Sequence, residues 1–507
     1  MNFTVRAPEI ESFDVIVVGR GPVGSTLANL LGLRGLKTLI FEREAAAYHL
    51  PRAVHFDDEV MRVFQAVELS EAVLPHLILS LGMHFVDSKG RLVLDWTRSK
   101  QITPMGWNLS YRFHQPDLED VLNNGLARWP NVTVRTCHEV VALEDDASCT
   151  WVHYKNTETG SSSKARCLYV VGCDGARSVV RRSMDTPLID LGFHERWLVV
   201  DVLLKRDRPD LGDYAIQYCN PERPVTYVRG TGNRRRWEIT IFPDEDSGAA
   251  TDPARVWQLL KPWINEQDAD IERASVYTFH STIAESWRNG RWMIAGDSAH
   301  QTPPFLGQGM CAGIRDAANL AWKLERVIRG QDSEALLDTY QSERLPHVRE
   351  FIELAIRLGG LINTKAMEAG IAAGVKWDNG PAKLEVEKPL LGPGLAAGDT
   401  RLTGRLAPQF ILSDGTRSDD RTGYTFVLLA TSTFAAQLKD SERATLARIG
   451  AGVLDDSESA LQNWLLLHGI HAAMVRPDRY ILGAVKSDGD LLAILSLFDH
   501  EVGTHIA

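Results

Sequence analysis

A glycine-rich turn between a strand and a helix, close to the start of the chain, limits the fold more than any other feature of the sequence. Residues 13–18 form an apolar run of strand length, and residues 25–34 favour a helix. The turn between them, residues 19–24, has the pattern Gly-x-Gly-x-x-Gly. Gly35 is suited to end the helix, and residues 37–41 predict a second strand. The chain therefore starts with a βαβ unit of the kind that builds a Rossmann-like α/β domain.

The same turn has the composition of a dinucleotide site. Its glycines let backbone N–H groups approach a pyrophosphate at the positive end of the helix. Glu42 ends the second strand, where a carboxylate can accept both hydroxyls of an adenosine ribose. The alternative is a tight turn needed only for packing. The motif does not distinguish FAD from NAD.

Composition favours work on a small molecule. The 507 residues carry 55 Lys and Arg against 66 Asp and Glu, so the formal net charge is −11. The chain has no basic surplus for binding nucleic acid or an anionic membrane. Residues 1–13 lack the apolar stretch of a secretory signal, and no apolar run reaches the roughly 20 residues that cross a bilayer. A cytoplasmic protein is expected, with six scattered cysteines that form neither a metal site nor a disulfide framework.

The rest of the chain predicts further layers. Strand-like segments with a Gly-rich turn over residues 197–242 favour an antiparallel sheet, and residues 313–358 favour helices. Residues 374–398 are rich in Pro and Gly and predict a linker, with a boundary near residue 395. Alternating strand and helix patterns after that boundary predict a small α/β domain.

Two further segments extend the first motif into a family pattern. Cys173-Asp174-Gly175-Ala176-Arg177 follows a strand-like run, and another strand-like run ends in Ala295-Gly296-Asp297-Ser298. Together with the N-terminal glycines, in this order and at these separations, they resemble the three fingerprints of the class A flavoprotein aromatic hydroxylases, the para-hydroxybenzoate hydroxylase family. The segments 51–59, 197–201, 336–344 and 475–480 resemble the 3-(3-hydroxyphenyl)propionate hydroxylase branch. This resemblance covers nearly the whole chain.

The resemblance implies an architecture of three domains. The expected FAD-binding domain comprises residues 1–185 and 275–365, with part of 50–115 near the substrate site. Residues 186–274 are expected to form a mixed-sheet substrate domain, and residues 366–395 the linker. Residues 396–507 are expected to form a thioredoxin-like α/β domain. Because no cysteine follows Cys311, that domain cannot perform dithiol chemistry, and a structural role is favoured.

Motif and resemblance together predict the residues that bind FAD. They are Gly19, Gly21, Pro22, Val23, Gly24, Glu42, Arg43, Arg52, Gln115, Asp174, Gly296, Asp297, Pro304, Gly307, Gly309, Met310 and Cys311. Asp297 is suited to bind a ribityl hydroxyl, although a helix-capping Asp is the alternative. Arg52 and Gln115 take family positions beside the cofactor, or lie on the surface. Cys311 stands where the family usually has Asn.

Candidate catalytic residues are fewer. His55 replaces a small residue of the nearest relatives and is expected either to accept a phenol proton or simply to pack. Tyr218 lies on the expected substrate sheet with two other tyrosines, which either line a pocket or fill the layer. Residues 234–236, three consecutive arginines, favour the solvated tip of a hairpin.

The resemblance implies an FAD-dependent monooxygenase. NAD(P)H would reduce the flavin, O₂ would add at flavin C4a to give a hydroperoxide, and the distal oxygen would pass to a phenolic ring such as that of a hydroxyphenylpropionate-like acid. A hydroxylase of a larger polyketide or other secondary metabolite is one alternative, and a non-catalytic protein that kept the FAD fold is another. The expected partners are the small aromatic substrate, O₂ and NAD(P)H, with assembly into a homo-oligomer left open.

Overall fold

The computed structural model describes residues 11–46, 51–362, 382–383, 387–455 and 459–498. Its first layer is an eight-stranded sheet that contains the predicted βαβ unit. Strand Ser12–Val18 lies between Thr38–Phe41 and Ser162–Gly172 and is parallel to both. Its residues Val15, Ile16 and Val17 are fully buried, as expected for a central parallel strand covered on both faces. The other strands of this sheet are Val132–Arg135, His138–Asp145, Thr150–Asn156, Arg288–Asn289 and Trp292–Ile294.

Four long helices pack against one another beside this sheet. Helix Pro22–Leu33 starts directly after the glycine turn and packs against Gln115–Leu126 and Gly309–Ile328. Helix Ala335–Ile362 packs along Gly309–Ile328. The shorter helices of this half of the chain are Asp58–Ala66, Ser70–Val73, Val179–Ser183, Ser247–Ala250 and Pro253–Leu260.

The second layer is a nine-stranded mixed sheet. In spatial order its strands are His300–Gln301, Ala269–Ala284, Leu188–Leu204, Arg234–Thr240, Val225–Arg229, Ala215–Cys219, Gly82–Asp87, Leu92–Thr97 and Ala382–Lys383. The predicted antiparallel pairing is found from 188 to 284, but Ala215–Cys219 is parallel to Gly82–Asp87. A separate small sheet joins His55–Asp57, Ser110–Phe113 and Leu77–Leu79.

The predicted hairpin tip at residues 234–236 is wrong. These arginines begin strand Arg234–Thr240, and Arg235 and Arg236 are 7% and 3% exposed. Arg236 forms an ion pair with buried Asp201 at 2.7 Å, and Arg273 bonds the same carboxylate. A run of three arginines favours a solvated position when only the sequence is known. The partner of Arg236, Asp201, lies on the neighbouring strand, 35 positions away in the sequence.

The C-terminal region forms its own four-stranded sheet. Val427–Ala430 lies between Gly452–Asp455, to which it is parallel, and Ala472–Val475, and Ile481–Val485 completes the sheet. The helices around it are Ser418–Thr422, Ser432–Gln437, Asp440–Arg448, Ser459–His468 and Asp488–Ser496. This arrangement is the small α/β unit predicted, and its thioredoxin-like character stays a prediction. The predicted linker lies largely outside the described residues.

Buried charges join this C-terminal unit to the helices of the first layer. Glu343, 1% exposed, accepts from Lys323 at 2.7 Å and from both terminal nitrogens of Arg476 at 2.8 Å. Asp478 accepts from the Asn319 side chain at 3.0 Å. The unit is therefore docked on helix Ala335–Ile362 by the Glu343–Arg476 ion pair and on helix Gly309–Ile328 by the Asn319–Asp478 hydrogen bond. Among the described helices, none is long and apolar enough to cross a membrane.

Candidate active site

The three glycines of the N-terminal turn have different roles. Gly19 has a φ of +99°, and a Cβ there would lie 2.5 Å from the Cys173 carbonyl oxygen. A Cβ at Gly24 would lie 1.9 Å from the Gly19 carbonyl oxygen. Neither position therefore has room for a side chain. A Cβ at Gly21 would meet no described atom within 4 Å, so the space in front of this helix is open, as a cradle for a pyrophosphate requires.

The start of helix Pro22–Leu33 offers donors to that space. Pro22 occupies the first turn, where its missing N–H costs no hydrogen bond, and no side chain caps the helix. Backbone N–H groups at such an end attract an anion. Val23 packs behind them, since a Cβ added at Gly296 would lie 3.0 Å from its side chain.

Glu42 is held beside the glycine turn. Its two carboxylate oxygens accept from the backbone N–H groups of Arg20 and Glu44, each at 3.0 Å. Each oxygen keeps a lone pair for a ribose hydroxyl. Arg43 turns away: its side chain is 64% exposed and pairs with Glu44 at 3.1 Å. The FAD-binding roles of Glu42 and Arg43 stay predictions: Glu42 lies beside the turn, and the Arg43 side chain points to solvent.

Asp174 closes the far side of the glycine turn. One carboxylate oxygen accepts from the N–H of Val179 at 2.6 Å, which fixes the chain after Cys173. The other is buried and has no hydrogen-bond partner among the described residues. Burial raises the pKa of this carboxyl. An unpaired buried oxygen here fits a site that a polar cofactor completes.

Gly296 and Asp297 lie at the end of strand Trp292–Ile294. Gly296 has a φ of +64° and donates to buried Asp316 at 3.1 Å. Asp316 is fixed by His300 at 2.6 Å and Arg344 at 2.9 Å. The Asp297 side chain remains accessible. Desolvation by the surrounding protein raises the pKa of the Asp297 carboxyl, and the charges of His300 and Arg52 oppose that shift.

A turn at Pro304–Gly307 leads into helix Gly309–Ile328. Gly307 has a φ of +63°, and a Cβ at Gly309 would meet no described atom within 4 Å, so this helix start is also open. Met310 is half-buried. Cys311 is fully buried, with its sulfur 3.7 Å from the Gly307 carbonyl oxygen, and burial raises the pKa of its thiol. The thiol thus packs under the turn.

Gln115 holds the segment that contains Arg52. Its side-chain oxygen accepts from the N–H groups of Arg52 and Ala53, each at 2.7 Å, and its amide donates to Glu119 at 2.6 Å. From the other side, Arg236 donates to the carbonyl oxygens of Pro51 and Arg52. Gln115 therefore positions the Arg52 backbone, and the Arg52 side chain is exposed. The sequence did not predict this use of Arg236.

A cavity lies beside the Pro304–Gly307 turn, with about 80 Å³ open to the centre of a water molecule. It is bounded by the small sheet that carries His55 and by one face of the nine-stranded sheet. Apolar side chains such as Trp96, Phe305 and Leu306 form much of its wall. Its polar lining residues are His55, Ser80, Arg98, Arg112, Gln217, Thr226 and Glu238. Apolar walls with a few convergent polar groups are typical of a site for a small organic molecule.

His55 lies in this cavity, but it is not suited to accept a phenol proton. Burial, with the charges of Arg98 and Arg112, lowers its pKa to about 3. Proton transfer from a phenol of pKa about 10 to such a base costs about 10 kcal/mol. Its Nε2 lies 2.7 Å from Ser110 Oγ. This low pKa favours a neutral hydrogen-bonding His55, and the proton-acceptor role stays an untested prediction.

Tyr218 does not reach the cavity. Neighbouring strand residues point to opposite faces, and Gln217 is the one that lines the cavity. Tyr218 packs on Trp263, with 5.1 Å between ring centroids, and Tyr227 packs on Trp237 in the core of the sheet. The catalytic role expected for Tyr218 stays a prediction, and this packing does not favour it. Sequence reasoning missed Arg98, Arg112 and Glu238, for which the signal was a charge inside a short strand-like run.

Comparisons with known proteins agree with this geometry. Residues 12–355 match the family described as FAD binding domain. The chain is 34% identical to a probable NADH-specific resorcinol 4-hydroxylase of Rhodococcus jostii (strain RHA1), over 96% of this chain and 94% of the relative. It is 32% identical to a 3-(3-hydroxy-phenyl)propionate/3-hydroxycinnamic acid hydroxylase of Burkholderia cenocepacia (strain HI2424), over 94% of each chain.

Solved structures support the fold. The flavin-dependent monooxygenase PieE superposes with a TM-score of 0.81 at 21% identity, over 97% of this chain and 99% of the other. Aklavinone-11 hydroxylase superposes with a TM-score of 0.77 at 21% identity, over 96% and 99%. The resemblance read from the motifs is confirmed by these comparisons. The chain belongs to the FAD-dependent aromatic hydroxylases, and FAD is its cofactor.

Proposed function

We propose that the protein uses NAD(P)H and O₂ to hydroxylate a phenolic ring, such as that of a hydroxyphenylpropionate-like acid. The cavity beside the Pro304–Gly307 turn carries this proposal, since it adjoins the helix start where the family places the flavin. The two relatives named above act, by their names, on resorcinol and on a hydroxyphenylpropionate, both of which are phenols.

Bound FAD would take electrons from NAD(P)H and activate O₂ for transfer to the ring. The chain's own residues supply the surroundings. The open N-terminus of helix Gly309–Ile328 favours negative charge in front of it. Phe305 and Leu306 close the cavity with apolar surface and exclude water. His55, neutral at pH 7, is suited to hydrogen-bond the substrate and not to remove its proton.

Glu238 is the candidate to accept the phenol proton. It is the one carboxylate among the described residues that line the cavity, and burial raises its pKa, against the charges of Arg236, Arg273 and Arg112. A raised pKa brings a carboxylate closer to the value that suits a general base near neutral pH. The residue takes the role that sequence reasoning gave to His55.

Hydroxylation of a larger metabolite is the second candidate. Its support is the fold shared with aklavinone-11 hydroxylase. Fold alone does not decide ring size, and the relatives above 30% identity are named for single-ring phenols.

One experiment tests both candidates. The purified holoenzyme is mixed with NADH or NADPH and with single-ring phenols or polycyclic phenols, and nicotinamide oxidation and product formation are followed together. We expect a single-ring phenol to stimulate oxidation and to appear as its hydroxylated product. Stimulation by polycyclic phenols alone favours the second candidate. A yellow protein that oxidises no nicotinamide with any phenol favours a non-catalytic FAD-fold protein.

We also propose that the protein works in the cytoplasm. All six cysteines are unpaired in the structure, which suits a reducing compartment. Fractionation of cells that produce the protein, with a marker enzyme for each compartment, tests this location. Sedimentation of the holoenzyme tests whether it forms a homo-oligomer.

A further inference from the structure

Two arginines on the cavity wall, Arg98 and Arg112, form no ion pair among the described residues. Arg112 belongs to strand Ser110–Phe113 and is 7% exposed, and Arg98 follows strand Leu92–Thr97 and is half-buried. Both line the cavity beside the Pro304–Gly307 turn. The Arg98 guanidinium stacks on Trp96, 4.5 Å from the ring centroid, which orients it along the wall.

Neither guanidinium forms an ion pair with a carboxylate among the described residues, although Asp57 and Asp58 act on Arg98, and Glu238 on Arg112, at longer range. The Nε atom of Arg112 is buried and lacks any hydrogen-bond partner there. Three other buried arginines are paired: Arg236 with Asp201 at 2.7 Å, Arg315 with Glu59 at 2.7 Å, and Arg476 with Glu343 at 2.8 Å. A buried cation without a partner is costly, so its retention calls for a ligand that pairs with it.

The charges around the pair leave the cavity positive. His55 is neutral, and Glu238 is the only lining carboxylate among the described residues. Burial and the charge of Arg98 lower the pKa of Arg112 to about 10, so both arginines stay charged at pH 7. Two cations against one carboxylate attract an anion into a site with apolar walls, where the attraction is stronger than in water.

We propose that Arg98 and Arg112 form an oxyanion site that binds a negatively charged oxygen of the substrate. This inference rests on the proposed function and names the chemistry of its ligand. Planar guanidinium groups suit an oxyanion with two acceptors, such as a carboxylate. The charged oxygen belongs either to a side-chain carboxylate or to the ionised phenol, and these two sources are separable by experiment.

The test measures binding without turnover. Perturbation of flavin absorbance in the holoenzyme gives Kd for four ligands: 3-(3-hydroxyphenyl)propionate, its neutral amide, 3-phenylpropionate and resorcinol. Each is measured on wild type, Arg98→Gln, Arg112→Met and Arg112→Lys. Arg223→Met is the matched control, because Arg223 lies outside the cavity lining and pairs with Glu245 at 2.9 Å.

We expect Arg98→Gln and Arg112→Met to weaken binding of the acid roughly 10- to 100-fold, with partial recovery in Arg112→Lys and no change in the control. If the carboxylate is the source, 3-phenylpropionate weakens equally and the amide and resorcinol stay within about twofold. If the phenolate is the source, the amide and resorcinol weaken, and the tighter wild-type binding of resorcinol at high pH disappears.

Two results would overturn the proposal. One is binding of all four ligands by both charge-removing variants within about twofold of wild type. The other is a wild-type holoenzyme that binds none of the four. Failure of the proposed function looks different: the acid or phenol then binds in an arginine-dependent way but is not hydroxylated.

Discussion

Replacement of Arg112 by methionine is expected to stabilise the protein. Arg112 is 7% exposed, and burial together with Arg98 lowers its pKa from 12.5 to about 10. A difference of that size between the unfolded and folded states corresponds to about 3 kcal/mol of lost stability. Methionine keeps an apolar stem of similar length and removes the charge. We therefore expect the free energy of unfolding to rise by roughly 1–3 kcal/mol.

The pH dependence has a defined sign. Because the folded-state pKa of Arg112 lies below the unfolded value, the penalty is complete below about pH 10 and fades as pH rises toward 12.5. Near neutral pH the whole gain is therefore present. The midpoint of thermal unfolding of the ligand-free holoenzyme, compared between wild type and Arg112→Met, measures it. A rise of roughly 1–3 °C is expected, because a chain of this length shifts by roughly 1 °C per kcal/mol.

Arg223→Met is again the control, because it removes an arginine that has a carboxylate partner. Its midpoint is expected to stay level or to fall slightly, since an ion pair near the surface contributes roughly 0–1 kcal/mol. A lower midpoint in Arg112→Met than in this control would refute the reasoning. It would mean that Arg112 supports the fold through partners and is not a group left open for a ligand.

Four further outcomes are expected. Gly21→Val lowers FAD content in the purified protein while leaving the fold intact by circular dichroism, because its side chain enters the open cradle and meets no protein atom first. His55→Gln leaves the pH profile of hydroxylation unchanged between pH 6 and 9, since His55 does not titrate there; a lost inflection would contradict this. Glu238→Gln lowers kcat with little change in FAD content, and loses the acidic limb of the pH profile; an unchanged limb argues against Glu238 as proton acceptor. Glu343→Gln lowers the thermal midpoint, by roughly 3–5 kcal/mol in stability, because Lys323 and Arg476 lose their shared partner.

Local rules explain why the cofactor side of the molecule could be predicted. The open position at Gly21 and the contact of Gly24 with Gly19 depend on backbone geometry within six residues, and Glu42 needs only the next strand, although the contact that closes Gly19 comes from the distant Cys173. Such short-range patterns are visible in the sequence. The prediction for Asp297 depended in the same way on its position at the end of a strand, and the resemblance suggested its role.

The substrate side could not be predicted in this way. Its wall combines Arg98, Arg112, Gln217 and Glu238, which come from separate segments and meet only through the strand order of two sheets. Tyr218 illustrates the difficulty. A shift of one residue along a strand moves a side chain to the other face of the sheet, and the sequence does not reveal which face lines the cavity. Whether a histidine titrates near neutral pH depends on neighbours that the sequence around it does not reveal.

The buried junction at Glu343 has a consequence for recombination among relatives. Its partners come from helix Gly309–Ile328 and from the C-terminal unit, so the two halves of the interface are encoded more than 130 positions apart. A chimera that exchanges the C-terminal unit at a break near residue 395 inherits Arg476 and Asp478 from one parent and Lys323 and Glu343 from the other. Such exchanges succeed only between parents that carry compatible charges at all four positions.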